Sequence, residues 1–230
     1  MAFKEIFKRI ECKYMLTAEQ YTALMPLIDE YMTGDEYGES TICNIYFDTP
    51  THRLIRNSLD KPVYKEKLRL RCYGVPDDNT TTFVEIKKKY KGIVYKRRIS
   101  MKYKDAISFT CNGTFPNKDT QIAREIQWFI NYYSGIEPKM VLTYERTAYF
   151  AKDDPNLRVT FDKNLLWRDT DLNLSHGAYG SPLLKEGERL MEVKVPDAMP
   201  LWMARKFDEL KIYPTSYSKY GNAYKTLITK

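Results

Sequence analysis

The chain has 230 residues, and 43% of them are hydrophobic, which is enough for a substantial core in one large domain. Lys and Arg exceed Asp and Glu by 7, a modest excess that suits phosphates, nucleic acid or an anionic membrane without choosing among them. No apolar stretch approaches the roughly 18 residues that span a bilayer, and the charged segment from Met1 to Glu5 lacks the apolar run of a signal peptide. We therefore expect a single domain over residues 1–230 and a cytoplasmic location.

The first part of the chain predicts strands separated by short helices. A first strand is predicted over residues 7–16, and Thr17, followed three residues later by Gln20, is a capping box that begins a helix. This helix is predicted to end at Gly34. The tight connection at residues 91–92 predicts a hairpin. Further strands are predicted over residues 41–47, 64–73, 81–90 and 93–101. A short helix is predicted to open at Asp48-Thr49-Pro50 and to run through Ile55 to Leu59, and another is predicted over residues 105–109.

The second part of the chain continues the alternation. A helix is predicted over residues 119–133, with Gly135 and Pro138 ending it. Residues 169–187 read as a long loop with a short strand near its start. Strands are predicted over residues 140–150, 158–162 and 189–195, and closing helices over residues 200–210 and 218–228. Because the strands carry charge on alternate residues, this order favours an antiparallel sheet in an α+β fold over a βαβ array.

Cations alternate along the strand predicted over residues 64–73. Alternate residues of a strand face opposite sides. One face then carries Lys65, Lys67, Arg69 and Arg71. The other face carries Leu68, Leu70 and Cys72. Like charges on one face repel one another unless an anion compensates them, so this strand either lies on a solvated surface or helps to hold an anion.

The same kind of charged face recurs on other predicted strands. Five further strand faces carry, in chain order, Arg9, Glu11 and Lys13; Glu85, Lys87 and Lys89; Lys96 and Arg98; Tyr144 and Arg146; and Glu192 and Lys194. A solvated face usually mixes the signs of charge, whereas here the acids occur singly among cations. These faces lie either outside an open sheet or inside a closed barrel. A tunnel for polyphosphate would need many cations and a few carboxylates to hold a divalent metal.

Other common chemistries lack their sequence signatures. The four cysteines are widely scattered, so neither a zinc site nor a thioredoxin-like motif is indicated. His52 and His176 have no metal-binding or catalytic spacing, and no P-loop occurs. Asp48 is predicted to cap a helix rather than to bind metal, and Trp128 is predicted to lie in the core.

Seven segments, ordered along nearly the whole chain, resemble one known family. They are Arg9–Tyr14, Ile45–Pro50, Lys67–Arg71, Phe83–Lys87, Thr143–Ala148, Leu190–Lys194 and Ser216–Lys219. The chain resembles the polyphosphate polymerase (VTC) domain of the vacuolar transporter chaperone family, within the triphosphate tunnel metalloenzyme (CYTH-like) superfamily. Each segment alone is a weak signal, whereas the ordered set is specific.

The resemblance implies a closed antiparallel β-barrel tunnel of about eight strands with helices packed outside. It implies that ATP enters the tunnel and that its γ-phosphoryl group passes to a growing inorganic polyphosphate chain. Mn²⁺ or Mg²⁺ is the implied cofactor, and ATP and polyphosphate are the implied partners. Nucleic acid is not expected, because the aromatic residues alternate mainly with apolar ones. No intrinsic membrane segment is expected, and a separate membrane partner is compatible with the family.

The motif positions carry over a set of site residues. The implied catalytic residues are Lys13, Arg69, Arg71, Lys87, Arg146 and Lys219. The implied phosphate-binding residues are Lys96, Arg98, Tyr144, Ser218, Arg168 and Lys194. Glu192 matches the metal-binding carboxylate. Hydrolase branches of the superfamily carry E-x-E-x-K on the first strand, whereas Arg9 stands here in place of the first Glu. Losing one carboxylate favours a polymerase over a two-metal hydrolase.

Two other functions remain open. The chain could be a tripolyphosphate or nucleoside triphosphate hydrolase in the same tunnel, with water instead of a phosphate chain as the acceptor. It could also be a non-catalytic module that binds polyphosphate. A binding module would tolerate the loss of Glu192, whereas a metal-dependent enzyme would not.

Overall fold

The computed structural model describes residues 10–91, 93–116, 119–196 and 198–229. The strands are β1 (Ile10–Leu16), β2 (Met32–Gly34), β3 (Ser40–Asp48), β4 (Tyr64–Tyr73), β5 (Thr81–Tyr90), β6 (Ile93–Lys102), β7 (Glu137–Ala151), β8 (Arg158–Arg168), β9 (Ser181–Pro182) and β10 (Arg189–Val195). The α-helices are α1 (Ala18–Tyr31), α2 (Arg53–Leu59), α3 (Tyr103–Asn112), α4 (Gln121–Tyr132), α5 (Leu201–Glu209) and α6 (Lys219–Ile228). A short 3₁₀ helix covers Leu174–His176.

The strands form a large antiparallel sheet, which confirms the α+β class. They hydrogen-bond in the order β1-β10-β8-β7-β3-β4-β5-β6, with β2 beside β7 and β9 beside β8. Every pair whose register is described runs antiparallel. Within the described residues no hydrogen-bonded ladder joins β6 back to β1, so hydrogen bonds do not close the sheet into a barrel.

The chain divides into two compact units. The first unit contains residues up to 40, 145–165 and 184–217, and the second contains residues 41–144, 166–183 and 218 onward. The prediction of one domain over residues 1–230 stays a prediction. Among the helices described, none is long and apolar enough to cross a membrane.

The first unit has its own apolar core beneath α1. As predicted, this helix begins with a capping box. The backbone N–H of Gln20 donates to Thr17 Oγ1 at 3.2 Å, and the backbone N–H of Thr17 donates to Gln20 Oε1 at 3.0 Å. These bonds satisfy backbone donors that the first turn leaves without partners. Leu24 and Ile28 are fully buried in a cluster with residues of β8 and β10, such as Phe161.

The prediction that α1 ends at Gly34 is wrong. The helix ends at Tyr31, and Met32–Gly34 instead pairs with β7 as β2. The Met32 side chain is buried in the core of the first unit, opposite Ala151. Met32–Gly34 pairs with a strand more than a hundred residues away, and this pairing outweighed the tendency of the helix to continue to Gly34. Sequence periodicity does not reveal such a distant partner.

The core of the second unit lies on the apolar face of β4 and β5. Leu68 pairs across the strands with Ile86, and both are fully buried. Phe109 of α3 and Phe129 of α4 belong to the same buried cluster. The helices therefore cover the apolar side of these strands, and the basic side chains of β4 from Lys65 to Arg71 point to the opposite face of the sheet.

Asp48 caps a helix, as predicted. Its carboxylate accepts hydrogen bonds from the amides of Leu54 and Ile55 in α2 at 2.8 and 2.9 Å, and from the Tyr220 hydroxyl at 3.0 Å. The amides at a helix N-terminus favour a negative charge. Asp48 thus links the start of α2 to α6.

Several predicted boundaries differ from the structure. Pro138 does not end a helix but lies inside β7, one residue after that strand begins. β8 continues past residue 162 to Arg168. Within residues 169–187, the short strand β9 lies near the end rather than the start. Arg9 and Gly92, which the sequence placed in a charged stripe and a hairpin turn, lie outside the described residues, although β5 and β6 do pair as a hairpin.

Candidate functional site

The charged stripes of β4, β5 and β6 come together on one face of the second unit. Residues directly opposite each other in adjacent strands share a face of the sheet. The cross-strand partners are Lys67 with Lys87, Lys87 with Lys96, Arg69 with Glu85, and Glu85 with Arg98. Residues that are 9 to 20 positions apart in sequence, among them the predicted site residues Arg69, Lys87, Lys96 and Arg98, are therefore neighbours on this surface.

A buried carboxylate organises the cations of this surface. Glu85 is 0% exposed, and it pairs with Arg69 Nε at 2.6 Å and with Lys96 Nζ at 2.5 Å. Burial by itself would raise the pKa of Glu85, but Arg69, Arg71 and Lys96 outweigh burial and lower that pKa to about 2. We call Glu85, Arg69, Arg71 and Lys96 the Glu85 cluster. Three cations and one carboxylate leave it with an excess of two positive charges.

Arg71 is held by neutral partners. Its Nε donates to Asn44 Oδ1 at 2.9 Å, and its Nη2 donates to the Tyr144 hydroxyl at 2.8 Å. Lys219, at the start of α6, places its ammonium 4.6 Å from the centre of the Tyr144 ring, within the range of a cation–π interaction. Arg71, Tyr144 and Lys219 are all buried and lie together, as expected of residues in one site.

Tyr46 also belongs beside the Glu85 cluster, although the sequence analysis did not name it as a site residue. Arg69 Nη1 donates to its hydroxyl at 3.3 Å. Burial would raise the pKa of the Tyr46 phenol, but Arg69, Arg71 and Lys67 outweigh burial and lower that pKa to about 8. Asn44 and Tyr46 alternate with buried apolar residues on β3, and this alternation was the available signal.

Ser218 links Lys67, on the charged face of β4, to α6. Its Oγ caps the helix by accepting from the Gly221 amide at 3.1 Å, and it also accepts from Lys67 Nζ at 3.2 Å. The hydroxyl therefore fixes the position of one stripe lysine beside the helix N-terminus. That end of a helix favours anions.

A second cluster lies in the first unit, around Glu192. Arg146 forms a bidentate pair with Asp162 at 2.5 and 2.7 Å, and its Nη2 lies 3.3 Å from Glu192 Oε2. Lys13 Nζ lies 3.6 Å from Glu192 Oε1 and donates to the Tyr217 carbonyl at 3.0 Å. We call Lys13, Arg146, Asp162 and Glu192 the Glu192 cluster. It brings three of the predicted site residues together.

Asp162 is the member of this cluster that the sequence analysis missed. It is fully buried, and its two carboxylate oxygens accept the short hydrogen bonds from Nε and Nη2 of Arg146. On β8, Thr160 and Asp162 alternate with the buried residues Val159 and Phe161, which is the pattern that could have identified it. Bidentate pairing with a carboxylate fixes the plane of a guanidinium, so Asp162 orients Arg146.

The sequence matches a known family. A model of the VTC domain matches residues 8–228, nearly the whole chain. The chain belongs to the VTC domain family. No protein of curated function matches it significantly.

Solved structures share the fold of this VTC domain at low sequence identity. A candidate adenylate cyclase from Bacillus halodurans matches with a TM-score of 0.58 and 13% identity, over 91% of this chain and 93% of that one. A candidate adenylyl cyclase from Hippeastrum, for which a dominant triphosphatase activity is described, matches with a TM-score of 0.59 and 16% identity, over 92% and 93% of the two chains. At these identities the likeness concerns the fold alone.

The remaining predicted contacts of the VTC domain are spread over both units. In the first unit, Lys194 Nζ lies 3.9 Å from Glu11 Oε2, and Lys13 Nζ lies 3.9 Å from the other oxygen of that carboxylate. In the second unit, the Arg98 guanidinium lies 4.5 Å from the centre of the Phe83 ring. Lys194 and Arg98 thus border their clusters, and their predicted roles in binding phosphate stay predictions.

Arg168 performs a structural task. Its guanidinium donates to the carbonyls of Asp171, Asn173, Gly177 and Tyr179 at 2.8 to 3.0 Å. Four of the five guanidinium N–H donors therefore hold the loop after β8. This geometry favours a role in loop structure over the predicted contact with phosphate.

The residues that the structure describes supply few oxygen ligands for a metal ion. Within the described residues, no group of three or more His, Cys, Asp or Glu side chains could hold a metal ion. Glu192 is buried and has Arg146 and Lys13 as neighbours, so its charge is already largely balanced. Such a carboxylate fits Mn²⁺ or Mg²⁺ only when phosphate oxygens and water complete the coordination shell, as these hard ions readily allow.

Proposed function

We propose that this VTC domain is a metal-dependent polyphosphate polymerase that transfers the γ-phosphoryl group of ATP to a growing inorganic polyphosphate chain. The observation that carries this proposal is the family match over residues 8–228. The excess of positive charge in the Glu85 cluster supports it, because a triphosphate is strongly anionic. The closed barrel tunnel of about eight strands belongs to the same proposal.

The chemistry asks the protein mainly for positioning and charge neutralisation. In phosphoryl transfer the charge spreads over the oxygens of the transferred group, and few covalent steps fall to the protein. Arg69 and Arg71 present planar guanidinium groups that are already fixed by Glu85, Asn44 and Tyr144. Fixed donors lose little conformational entropy when a phosphate binds, and they stabilise developing charge without reorganising.

The lysines have a different role in the proposal. A lysine ammonium is a movable point charge, so it can follow a phosphate group that shifts during transfer. Lys96 is the most exposed of the cluster cations, with 41% of its side chain accessible, and it is therefore suited to the first contact with an incoming anion. We assign Lys87 and Lys219 to the same charge field, and Ser218 to holding Lys67 in place.

The Glu192 cluster would provide the metal-binding carboxylate. Glu192 would contribute an oxygen to Mn²⁺ or Mg²⁺, which supplies Lewis-acid charge at the phosphates when it is bound. Lys13 and Arg146 would then pair with phosphate oxygens, and Asp162 would keep Arg146 oriented. The partners of this enzyme would be ATP and polyphosphate.

A triphosphate hydrolase is the second candidate. The observation that favours it is the Hippeastrum structure, whose fold this chain shares and whose protein has a dominant triphosphatase activity. The two reactions need the same phosphate-binding residues and differ only in the acceptor of the phosphoryl group, which is water in the hydrolase.

Product analysis separates these functions. The purified protein is incubated with ATP and Mn²⁺, and the products are resolved on a gel that separates phosphate chains. We expect a ladder of chains for the wild type and a loss of at least about 100-fold in turnover for Glu192→Gln and Arg71→Ala. The matched control is Arg124→Ala, which removes an exposed guanidinium paired with Asp119.

Each other outcome has one meaning. Orthophosphate and ADP without any longer phosphate chain would establish the hydrolase and remove the polymerase. Unchanged ATP, together with tight binding of tripolyphosphate, would leave a binding module. Wild-type turnover in Glu192→Gln would remove the metal assignment.

A further inference from the structure

A group of exposed aromatic side chains lies at one end of the sheet in the second unit. Tyr64 of β4 is opposite Tyr90 of β5, which is opposite Ile93 of β6. Tyr95 lies on the same face, opposite Lys88. The exposed fractions of Tyr64, Tyr90, Ile93 and Tyr95 are 45, 45, 46 and 52%. Large apolar side chains clustered in solvent are unusual and mark interaction surfaces.

Helix α4 extends this surface. Trp128, which was predicted to lie in the core, is 57% exposed and stacks on Tyr132, which is 56% exposed, with ring centroids 4.9 Å apart. The hydroxyls of Tyr64 and of Tyr133 both donate to the Glu66 carboxylate at 2.6 Å, so α4 is anchored beside β4. We define the aromatic patch as Tyr64, Tyr90, Ile93, Tyr95, Trp128 and Tyr132.

Three members of the aromatic patch, Tyr90, Ile93 and Tyr95, lie in a strongly basic part of the sequence. Residues 86–104 contain nine Lys or Arg residues and neither Asp nor Glu. Lys91 places its ammonium 5.5 Å from the centre of the Tyr90 ring, directly at the patch. Val94, beside Ile93 near the hairpin end, is 48% exposed. Lys87, Lys89, Lys96 and Arg98 point to the opposite face of the sheet, whereas Lys88 and Arg97 lie on the face of the patch, 4.0 Å from Glu66 and 3.3 Å from Glu125. The positive charge at the patch is therefore concentrated at the hairpin end, around Lys91.

We propose that the aromatic patch docks on the surface of an anionic lipid bilayer. Tyr and Trp side chains are preferred at the level of lipid headgroups, where the ring is in apolar surroundings and the polar atom stays hydrated. Basic residues beside them gain from the negative potential of an anionic leaflet. The end of the β5–β6 hairpin would place Ile93 and Val94 nearest to the acyl chains.

Other occupants fit the patch less well. A second copy of this chain would bring a strongly basic hairpin against the same basic hairpin, and like charges across an interface oppose binding. A single-stranded nucleic acid binds by stacking its bases on open aromatic faces. Trp128 and Tyr132 instead stack on each other with their rings within 16° of parallel, which covers one face of each.

Vesicle binding tests this docking without any assay of turnover, so its failure is separate from failure of the proposed polymerase. The full chain is sedimented with vesicles of phosphatidylcholine alone and with vesicles in which about a third of the lipid is phosphatidylglycerol. We expect binding to the anionic vesicles only, and weaker binding at high salt. The double variant Ile93→Ser, Tyr95→Ser should bind at least about tenfold more weakly, because two exposed anchors lose their apolar surface. The control Tyr213→Ser removes an aromatic side chain that is 66% exposed in the first unit, and its binding should not change.

Tryptophan fluorescence provides an independent readout. The emission of Trp128 should shift to the blue on addition of anionic vesicles, whereas Trp167 is already buried. The shift should disappear in Trp128→Phe. Absence of binding to anionic vesicles at low salt would overturn the proposal. Equal binding by the double variant, or displacement of the vesicles by a short single-stranded RNA at equal charge, would overturn it as well.

Discussion

Removing the charge of Glu85 tests how the cation cluster is held together. In Glu85→Gln the side chain keeps its size, but Arg69 and Lys96 lose the carboxylate that lies 2.6 and 2.5 Å away. Glu85 is 0% exposed, so water cannot replace the missing charge. Three neighbouring cations are then left to repel one another. We expect the variant to fold less stably and to depend more strongly on a bound anion.

The size of the effect follows from the pKa of Glu85. A fall from the ordinary 4.5 to about 2 corresponds to about 3 kcal/mol of stabilisation of the ionised carboxylate by the folded protein. The Lys96 side chain is 41% exposed, so solvent screens its interaction with Glu85. The stabilisation of about 3 kcal/mol is therefore an upper value. We expect the free energy of unfolding at neutral pH to fall by about 2 to 3 kcal/mol. For a chain of this size, that is a decrease in Tm of roughly 5 to 10 °C.

Denaturant unfolding of both proteins measures this difference. The matched control is Glu137→Gln, which breaks an exposed pair with Lys139 and should cost less than about 1 kcal/mol. Tripolyphosphate should raise the Tm of Glu85→Gln more than that of the wild type, because the phosphate replaces the lost negative charge. The reasoning is refuted if Glu85→Gln is as stable as the wild type.

The pH dependence of stability carries the same information with a defined sign. The pKa of Glu85 is lower in the folded state, so its contribution is complete above the ordinary value of 4.5 and is lost as pH falls toward 2. The wild type and Glu85→Gln should therefore differ most near neutral pH and converge in acid. A difference that stays constant over this range would contradict the pKa argument.

Two further predictions concern residues that the sequence analysis missed. Ionisation of the Tyr46 phenol near pH 8 would offset the charge of Arg69. The KM for triphosphate should therefore rise as pH increases through about 8 in the wild type and stay level in Tyr46→Phe. Identical pH profiles of the two proteins would remove Tyr46 from the site. Asp162→Asn should lower the free energy of unfolding by about 2 to 4 kcal/mol, because Arg146 loses its bidentate partner in a buried pair. Chemical denaturation measures this loss, and the exposed control Asp153→Asn should show almost none.

Much of the strand pattern could be read from the sequence because it is local. Side chains of a strand alternate with a period of two, so the charged and apolar faces of β4 and β5 follow directly from residue order. The capping box of α1 is equally local, since both partners lie within one turn. The family resemblance then supplied the residues that β4, β7 and β10 contribute to the two clusters.

Exposure of individual residues was less predictable. Trp128 lies on a helix with a clear apolar side, and burial was the natural expectation for so large a ring. The sheet beneath α4 ends at Tyr64 and Tyr90, however, and leaves Trp128 beside other exposed rings. The sequence does not state where a sheet ends relative to the helix that covers it.

The sequence by itself determined which residue types share a strand face, because alternation depends only on neighbouring residues. Only the tertiary structure decided which carboxylate meets which cation. Arg146 reaches Asp162 through the pairing of separate strands, and Glu85 reaches Lys96 through the register of a hairpin. Register depends on turns and on partners distant in the chain, and a shift by one residue would turn every side chain of a strand to the other face.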